Sequence, residues 1–372
     1  MRWAALCLLA ALLGGCAGAP VPRATPDQPA PRDDSDEAGL ILQMQRFEEE
    51  LANSPLRVRD PALNAYLREL TCKLAGDYCG DIRVYLLRQP YFNAAMAPNG
   101  MLVIWTGLLL RVEDEAQLAA VIGHEVGHYV ARDSLARWRR MKAAGNLTVA
   151  FQVLGGSIAG AAVGLGAYSG LYAFSRDQER AADQYGIERM RALGYDDRRV
   201  GDLWAAIWDE ESQRDRDLMS AIFASHPAST ERRDRLRRAA QSQGGETGVE
   251  RYHAVVEPLR ADWLEDEIGR RHYSQTEVLL ARLARLPYDQ AELAYYQAEM
   301  YRRRARPADL ALAHAAYQRA TAAPGAPAGA WRGLGLVLQK LGRSEDARAA
   351  FAEYLKRAPD AGDRAMIESW LQ

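Results

Sequence analysis

The sequence is poor in cysteine and has almost no excess of charge of one sign. Its 372 residues include only four cysteines, and no two have Cys-x-x-Cys spacing, which excludes a disulfide-dense scaffold, a zinc ribbon and a thioredoxin-type redox site. The formal net charge of −2 gives the chain as a whole no electrostatic basis for binding nucleic acid. Thirty glycines and 16 prolines are too few for a collagen-like or wholly disordered protein. Apolar residues make up 48% of the chain, so its length and composition predict two or three globular domains.

The first residues have the pattern of an export signal. A basic start precedes an apolar run over residues 4–13, which is too short to span a bilayer but fits the hydrophobic part of a signal peptide. The run ends in Leu13-Gly14-Gly15-Cys16, which resembles the lipobox of bacterial lipoproteins. The resemblance implies a signal peptide over residues 1–16, acylation of Cys16 and, because Ala17 follows, a lipid anchor in the outer membrane facing the periplasm. A plain signal peptide is the alternative.

Composition predicts how the rest of the chain is divided. Residues 17–39 contain five prolines and no apolar periodicity, which is typical of a disordered tether. The sequence Ser-Gln-Gly-Gly-Glu-Thr-Gly at 242–248 predicts a linker over 242–251. This linker separates a first domain at 40–241 from a helical domain at 252–372.

Hydrophobic periodicity predicts a mainly α-helical fold with one small sheet. Alternating apolar residues at 82–86 and 101–105 indicate two strands, and helical spacing dominates elsewhere. Acidic residues followed by apolar residues along one side predict a helix over about 114–132.

An uncharged interval over residues 143–175 contains seven glycines. Its length raises the question of a membrane span, but so many glycines make a poor uninterrupted helix. We expect small-residue packing of buried or membrane-facing segments there, with a true span as the alternative.

If Cys16 is acylated and Cys7 is removed with the signal peptide, Cys72 and Cys79 are the two cysteines that remain. They lie seven positions apart around an apparent helix end. An oxidising periplasm favours a disulfide that closes this short loop, with two free thiols as the alternative.

One motif carries a specific chemical signal. His124-Glu125-Val126-Gly127-His128 is an HExxH sequence inside the helix predicted over 114–132. Histidines at i and i+4 lie on one face of a helix and can share one Zn²⁺, and Glu125 then reaches a metal-bound water as general base. This composition gives roughly 0.008 chance matches per chain, so two unrelated solvent-facing histidines are a poor explanation.

A catalytic zinc site needs a third protein ligand. Glu179 is the best candidate because Glu179 and Asp183 stand at i and i+4 on a second predicted helix. Glu179 can then reach the metal while Asp183 hydrogen-bonds a ligand histidine from behind. The spacing alone leaves an ordinary acid on a solvated helix face as an equal alternative for Glu179.

The HExxH helix, the glycine-rich interval and the ExxxD helix resemble the gluzincin peptidases of the HtpX/CAAX-prenyl-endopeptidase family over residues 60–240. The resemblance implies a zincin-type α+β metallopeptidase domain at 40–241 with one Zn²⁺ per chain. It assigns His124, His128 and Glu179 as metal ligands, Glu125 as base and Asp183 as partner of a ligand. Asp133 stands where many members of the family have histidine. We expect this position to be peripheral to the catalytic chemistry.

Further residues match the soluble periplasmic, BepA-like branch of this family. His226, followed by Pro227, is implied to lie near the metal, where it either occupies the fourth ligand position or hydrogen-bonds the oxyanion. Arg232 is implied to assist with the oxyanion, although the arginine-rich helix 232–238 is more typical of a solvated face. Strand 101–105 is expected to bind an extended substrate by addition at the sheet edge.

The C-terminal third contains a tetratricopeptide-like pattern. One 34-residue repeat has the pattern at Trp331, Leu334, Gly335, Leu338, Ala347, Phe351 and Pro359. A looser copy of the repeat precedes it in the sequence. An unrelated helical bundle is the alternative. Stacked helix pairs of this kind bind protein segments and perform no chemistry.

These features together predict a zinc endopeptidase of the outer membrane, facing the periplasm. Its expected partners are unfolded or misassembled proteins, outer-membrane proteins among them, and the outer-membrane protein assembly machinery. The alternative is a chaperone or assembly-factor binding module that uses the repeats and keeps a latent metal site. The motif of His124, Glu125 and His128 is intact, which favours catalysis.

Overall fold

The computed structural model describes residues 21–27, 35–143, 174–213, 230–241 and 244–371. Cys16, His226 and residues 144–173, for which the sequence makes specific predictions, lie outside these ranges. Among the described residues, no helix is both long and apolar enough to cross a lipid bilayer.

Three short strands form the sheet of a molecule that is otherwise mainly helical. They are β1 (Arg83–Leu87), β2 (Ala94–Met96) and β3 (Met101–Trp105), in the order β1–β3–β2. β1 runs parallel to β3, and β2 runs antiparallel to it. The mainly α-helical class with one small sheet, predicted from periodicity, is confirmed.

The expectation that strand 101–105 binds substrate at a sheet edge is wrong. Val103 of β3 faces Tyr85 of β1 on one side and Ala95 of β2 on the other, so β3 is the central strand. A central strand has used its backbone N–H and C=O groups on both sides and cannot accept another strand. The edges of the sheet therefore belong to β1 and β2, and at the β1 edge the Leu86 carbonyl already accepts the Val58 N–H.

Part of the segment predicted as a tether over 17–39 is attached to the first domain. The backbone N–H of Ala24 donates to the Val130 carbonyl at 2.9 Å, and the Tyr78 hydroxyl donates to the Ala24 carbonyl. Helix α1 (Asp36–Ala52) begins before residue 40, and its apolar side packs on the sheet through Leu40, Met44, Phe47 and Leu51. The predicted tether therefore extends too far. The buried apolar residues of α1 begin at Leu40, but the helix needs one turn before them and so begins at Asp36.

Helix α2 (Pro61–Ala75) begins where an aspartate precedes a proline. The Asp60 side chain accepts the Leu63 N–H at 2.8 Å, and Pro61 occupies the first helical position. Cys72 of this helix forms a disulfide with Cys79, in the 3₁₀ turn that follows. The predicted disulfide is confirmed.

Two long helices pack closely to position the site. Helix α3 (Thr106–Leu109) leads into α4 (Glu115–Ala131), and α5 (Asp133–Ala143) follows. Helix α6 (Arg176–Ala192) lies against α4. A Cβ atom at position 123 or 127 of α4 would stand only 3.0 Å from a backbone Cα of α6. Gly123 and Gly127 therefore allow the close approach that brings the acids of α6 to the histidines of α4.

The rest of the described chain is helical. Helices α7 (Arg198–Glu211) and α8 (Thr230–Ala239) belong to the first domain. Seven helices follow, and buried apolar residues from α2 to the last helix form one continuous core. They are α9 (Val249–Gly269), α10 (Tyr273–Leu283), α11 (Gln290–Arg304), α12 (Asp309–Ala322), α13 (Ala328–Lys340), α14 (Ser344–Arg357) and α15 (Arg364–Leu371).

The segment predicted as a linker over 242–251 is fixed to the first domain where it is described. The Thr247 carbonyl accepts the Ala116 N–H, and Glu246 exchanges backbone hydrogen bonds with Gly194 and Asp196. Helix α9 already begins at Val249. Two of the glycines typical of a linker serve close packing instead, since a Cβ at Gly245 would stand 2.6 Å from the Asp196 backbone and one at Gly248 would stand 2.7 Å from Glu115.

A buried ion cluster joins α9 to the first domain. Arg111, which is 2% exposed, lies 2.6 Å from Glu210 of α7 and 2.9 Å from Glu267 of α9. Arg270 also pairs with Glu267. Burial by itself would raise the pKa of Glu267, but Arg111 and Arg270 hold it below the usual value. The cluster therefore contributes stability at neutral pH that is lost as the pH falls through this lowered pKa.

We expect Glu267→Ala to destabilise the protein by about 3–5 kcal/mol, because it leaves the two cations of the cluster, Arg111 and Arg270, with Glu210 as their remaining anion. Urea unfolding measures the change. Glu257→Ala is the matched control, since Glu257 lies on the same helix with its side chain half exposed. Equal losses in the two variants would contradict a special role for the buried cluster.

Candidate metal and catalytic centre

The two motif histidines converge on one point. His124 and His128 stand one turn apart on α4, and their Nε2 atoms are 3.1 Å apart. Glu179 of α6 approaches the same point, with carboxylate oxygens 3.7 Å from His124 Nε2 and 3.5 Å from His128 Nε2. All three side chains are buried, and their ligand atoms lie within 4.8 Å of one another. The structure thus brings together the three residues predicted as ligands.

Asp183 contacts the first histidine from behind, as its i+4 spacing from Glu179 predicts. Its Oδ1 lies 2.9 Å from His124 Nδ1. Burial by itself would raise the pKa of Asp183, but the Arg232 charge holds it well below its usual range. An ionised Asp183 accepts the Nδ1 proton of His124, so the lone pair of Nε2 faces Glu179 and His128.

Asp133 occupies the same place behind the second histidine. Its Oδ2 lies 2.7 Å from His128 Nδ1. Burial would lower the pKa of His128, but Asp133 and Glu179 raise it to about 9. The expectation that position 133 is peripheral is therefore wrong. Arg132 ends α4 in a left-handed conformation (φ 56°), and this reversal brings the next residue under the imidazole.

Sequence reasoning missed Asp133 because nothing in the local sequence marks the reversal. Glycine or asparagine is the usual signal for a left-handed residue at a helix end, and here the residue is Arg132. The available signal was an acid five positions after His128, at the start of the next helix.

Glu125 lies between the predicted ligands His124, His128 and Glu179, here called the ligand cluster, and the edge of the sheet. Its Oε2 accepts the backbone N–H of Met96 at 3.0 Å. Residues 93 and 97 bond to β3 through Trp105 and Met101, so the alternate residues Ala94 and Met96 turn their backbone groups away from the sheet. The predicted base thus stands beside the backbone that an added peptide would pair with.

Arg232 of α8 is buried, so the prediction of a solvated face for this helix is wrong at that position. The guanidinium stacks on Trp204 at 4.1 Å and lies 2.9 Å from Glu179 and 2.7 Å from Asp183. Arg235 of the same helix also reaches Asp183. These contacts place Arg232 beside the predicted ligand Glu179 and beside Asp183. Its role toward the oxyanion stays a prediction, as does every role of His226.

A cavity of about 870 Å³ opens beside the ligand cluster. It extends from His128 along the turn at residues 97–99 to helix α1. Glu48 on its wall is held by Arg83, Tyr85 and Asn99. Of strand β2, Met96 lines this cavity.

An HExxH helix, a glutamate on a second helix that meets its two histidines and a strand edge beside Glu125 match the arrangement of a zincin-type metallopeptidase. Comparison with known proteins gives the family. Residues 58–240 match the profile of peptidase family M48, so the chain contains a peptidase M48 domain.

Individual relatives match part of the chain at moderate identity. The chain is 28% identical over 173 residues to a putative beta-barrel assembly-enhancing protease of Vibrio cholerae, covering 43% of this chain and 36% of that protein. It is 31% identical over 152 residues to the mitochondrial metalloendopeptidase OMA1 of Schizosaccharomyces pombe, covering 40% and 44%. It is 27% identical over 195 residues to the metalloprotease LoiP of Escherichia coli, covering 50% and 74%. The chain spans less than half the length of the first two.

Proposed function

We propose that the chain is a zinc-dependent endopeptidase that holds one Zn²⁺ at His124, His128 and Glu179. The supporting observation is the convergence of these three buried donors within 4.8 Å. Two imidazole nitrogens and a carboxylate oxygen suit Zn²⁺, and three protein ligands leave a position for water or substrate. The histidine Nδ1 atoms are engaged by Asp183 and Asp133, so Nε2 is the nitrogen that each ring would offer to the metal, and a proton on Nε2 would be released when the metal binds.

The bound zinc would supply Lewis-acid polarisation of the scissile carbonyl and lower the pKa of the attacking water. Glu125 takes the proton of that water and returns it to the leaving amine. The Met96 N–H holds the Glu125 carboxylate at the edge of β2, where the scissile peptide would lie. Asp183 and Asp133 keep the two histidines in the orientation that binding requires.

The proposed substrates are unfolded or misassembled proteins, outer-membrane proteins among them. The outward N–H and C=O of Ala94 and the outward C=O of Met96 would pair with main-chain groups of the substrate and so select for an extended chain more than for particular side chains. A folded protein does not offer such a segment. The name of the Vibrio cholerae relative, a beta-barrel assembly-enhancing protease, supports the same class of substrate.

A direct test uses one outer-membrane β-barrel protein in two states, unfolded in urea-diluted buffer and folded in detergent. We expect the purified protein to cleave the unfolded state, to spare the folded state and to lose activity with a zinc chelator. Cleavage that persists in chelator would contradict the metal mechanism. An unfolded substrate that is kept soluble but left uncut would favour a chaperone with a latent metal site.

We further propose that the protein is anchored by lipid at Cys16 in the outer membrane and works in the periplasm. The change Cys16→Ser is expected to move it from the membrane fraction to the soluble periplasm, because two or more acyl chains are needed for stable anchoring. Fractionation followed by immunoblotting measures the shift, with Cys7→Ser as the control within the signal peptide. A variant that still requires detergent would assign the membrane contact to another part of the chain.

His226 is proposed to occupy the fourth metal position in the resting enzyme. Because such a ligand excludes the substrate carbonyl, we expect His226→Ala to raise proteolysis, including self-cleavage. As an oxyanion donor, its removal would instead lower turnover by about 10²–10³-fold. Turnover and self-cleavage, measured at equal zinc content, distinguish the two roles, since the first predicts a rise in proteolysis and the second a fall.

The helices from α9 to α15 are proposed to dock substrate or the outer-membrane assembly machinery. Paired packing of α11 with α12 and of α13 with α14 supports a tetratricopeptide-like arrangement. Gly335 of α13 packs against the Phe351 ring of α14, at the positions where the repeat pattern has a small and a large residue. Neither helix pair contributes to the ligand cluster described above.

A further inference from the structure

The His128 imidazole is held on several sides by neighbours that leave Nε2 facing the ligand cluster. The Phe174 ring stacks on it, with centroids 4.0 Å apart and planes inclined by 27°. Asp133 approaches Nδ1 at 2.7 Å. His128 is 2% exposed and Asp133 is 6% exposed, so water competes little for their hydrogen bond.

The second oxygen of Asp133 connects to the helix that carries Glu179. Gln178 donates its side-chain N–H to Asp133 Oδ1 at 2.5 Å. Gln178 also closes the capping box at the start of α6 with Ser175. One carboxylate therefore touches a ligand histidine and the residue directly before the ligand glutamate.

We propose that Asp133 is a positioning residue of the metal site, equivalent for His128 to Asp183 for His124. It fixes the imidazole with Nε2 toward the metal, strengthens Nε2 as a donor and sets the position of Glu179 through Gln178. This inference rests on the metal site proposed above. Loss of a hydrogen-bond partner of this kind reduces metal affinity by about 10–100-fold.

A purely structural role predicts a different outcome. Asp133 is the first residue of α5, where an acid also stabilises a helix by its charge near the N-terminus. Removal of such a charge lowers the stability of the metal-free protein and leaves the affinity for zinc unchanged. Zinc affinity and metal-free stability are therefore the two quantities to compare.

The test compares Asp133→Ala and Asp133→Asn with the wild type by chelator competition for Zn²⁺ and by urea unfolding of the metal-free proteins. We expect Asp133→Ala to lose about 10–100-fold in zinc affinity. Asp133→Asn should lose less, because its amide oxygen still accepts the Nδ1 proton. Asp60→Asn is the matched control, a helix-start carboxylate that bonds Leu63, and its zinc affinity should equal that of the wild type.

The outcomes separate this inference from the proposed function. If the wild type binds and uses zinc and both Asp133 variants bind it equally tightly, the positioning role is overturned while the peptidase stands. A wild type that binds no zinc overturns both. Should Asp133→Ala fail to fold, the nearly isosteric Asp133→Asn decides, since any loss of affinity without loss of metal-free stability supports the role.

Discussion

Glu125→Gln is expected to retain its metal and to lose peptide hydrolysis by about 10²–10⁴-fold, the contribution typical of a general base. The amide oxygen of glutamine still accepts the Met96 N–H that Glu125 now binds, so the local structure is preserved. An amide cannot take a proton from water near neutral pH. Steady-state turnover on an unfolded β-barrel protein, with zinc content measured on the same sample, gives both quantities.

The control for this change is Glu50→Gln, which alters an exposed glutamate of α1 by the same atoms. It is expected to cleave at the wild-type rate. Residual turnover in Glu125→Gln near that rate, at full zinc occupancy, would assign the base to another residue.

Glu179→Ala is expected to lose the metal itself. It removes one of three protein donors, and Arg232, which now lies 2.9 Å from that carboxylate, would remain as a cation beside the site. Loss of a direct ligand should exceed the about 10–100-fold effect of an outer hydrogen-bond partner. Metal analysis after dialysis should show about one zinc per wild-type chain and far less in the variant.

Glu188→Ala provides the matched comparison, since it removes an exposed glutamate from the same helix α6. Its zinc content should equal that of the wild type. His124→Ala should behave like Glu179→Ala, because both take away atoms that meet at the same point. Full zinc in Glu179→Ala would remove this residue from the ligand set.

The parts of the site that follow helical spacing could be predicted from the sequence. His124 and His128, like Glu179 and Asp183, are separated by four positions, and a helix places such pairs on one face regardless of the rest of the fold. Pairing between the two helices depends on distant residues, and here the resemblance to a peptidase family supplied what spacing alone left open.

The parts that depend on chain reversals and strand order could not be predicted in this way. Asp133 reaches His128 because Arg132 adopts a left-handed backbone conformation, which an arginine in the sequence does not predict. The central place of β3 follows from a sheet order that differs from the chain order. The glycines at 245 and 248 have the composition of a linker, yet they allow the backbone to lie against the first domain.

The contacts between α9 and the first domain affect how truncation experiments can be interpreted. A stop codon after residue 241 would take Glu267 away from Arg111 and the Tyr252 hydroxyl away from the Leu109 carbonyl. It would also free the Ala116 N–H at the start of the catalytic helix. An inactive truncation would then report a damaged catalytic domain, so the contribution of the C-terminal helices to substrate capture has to be measured with point changes on their outer surfaces.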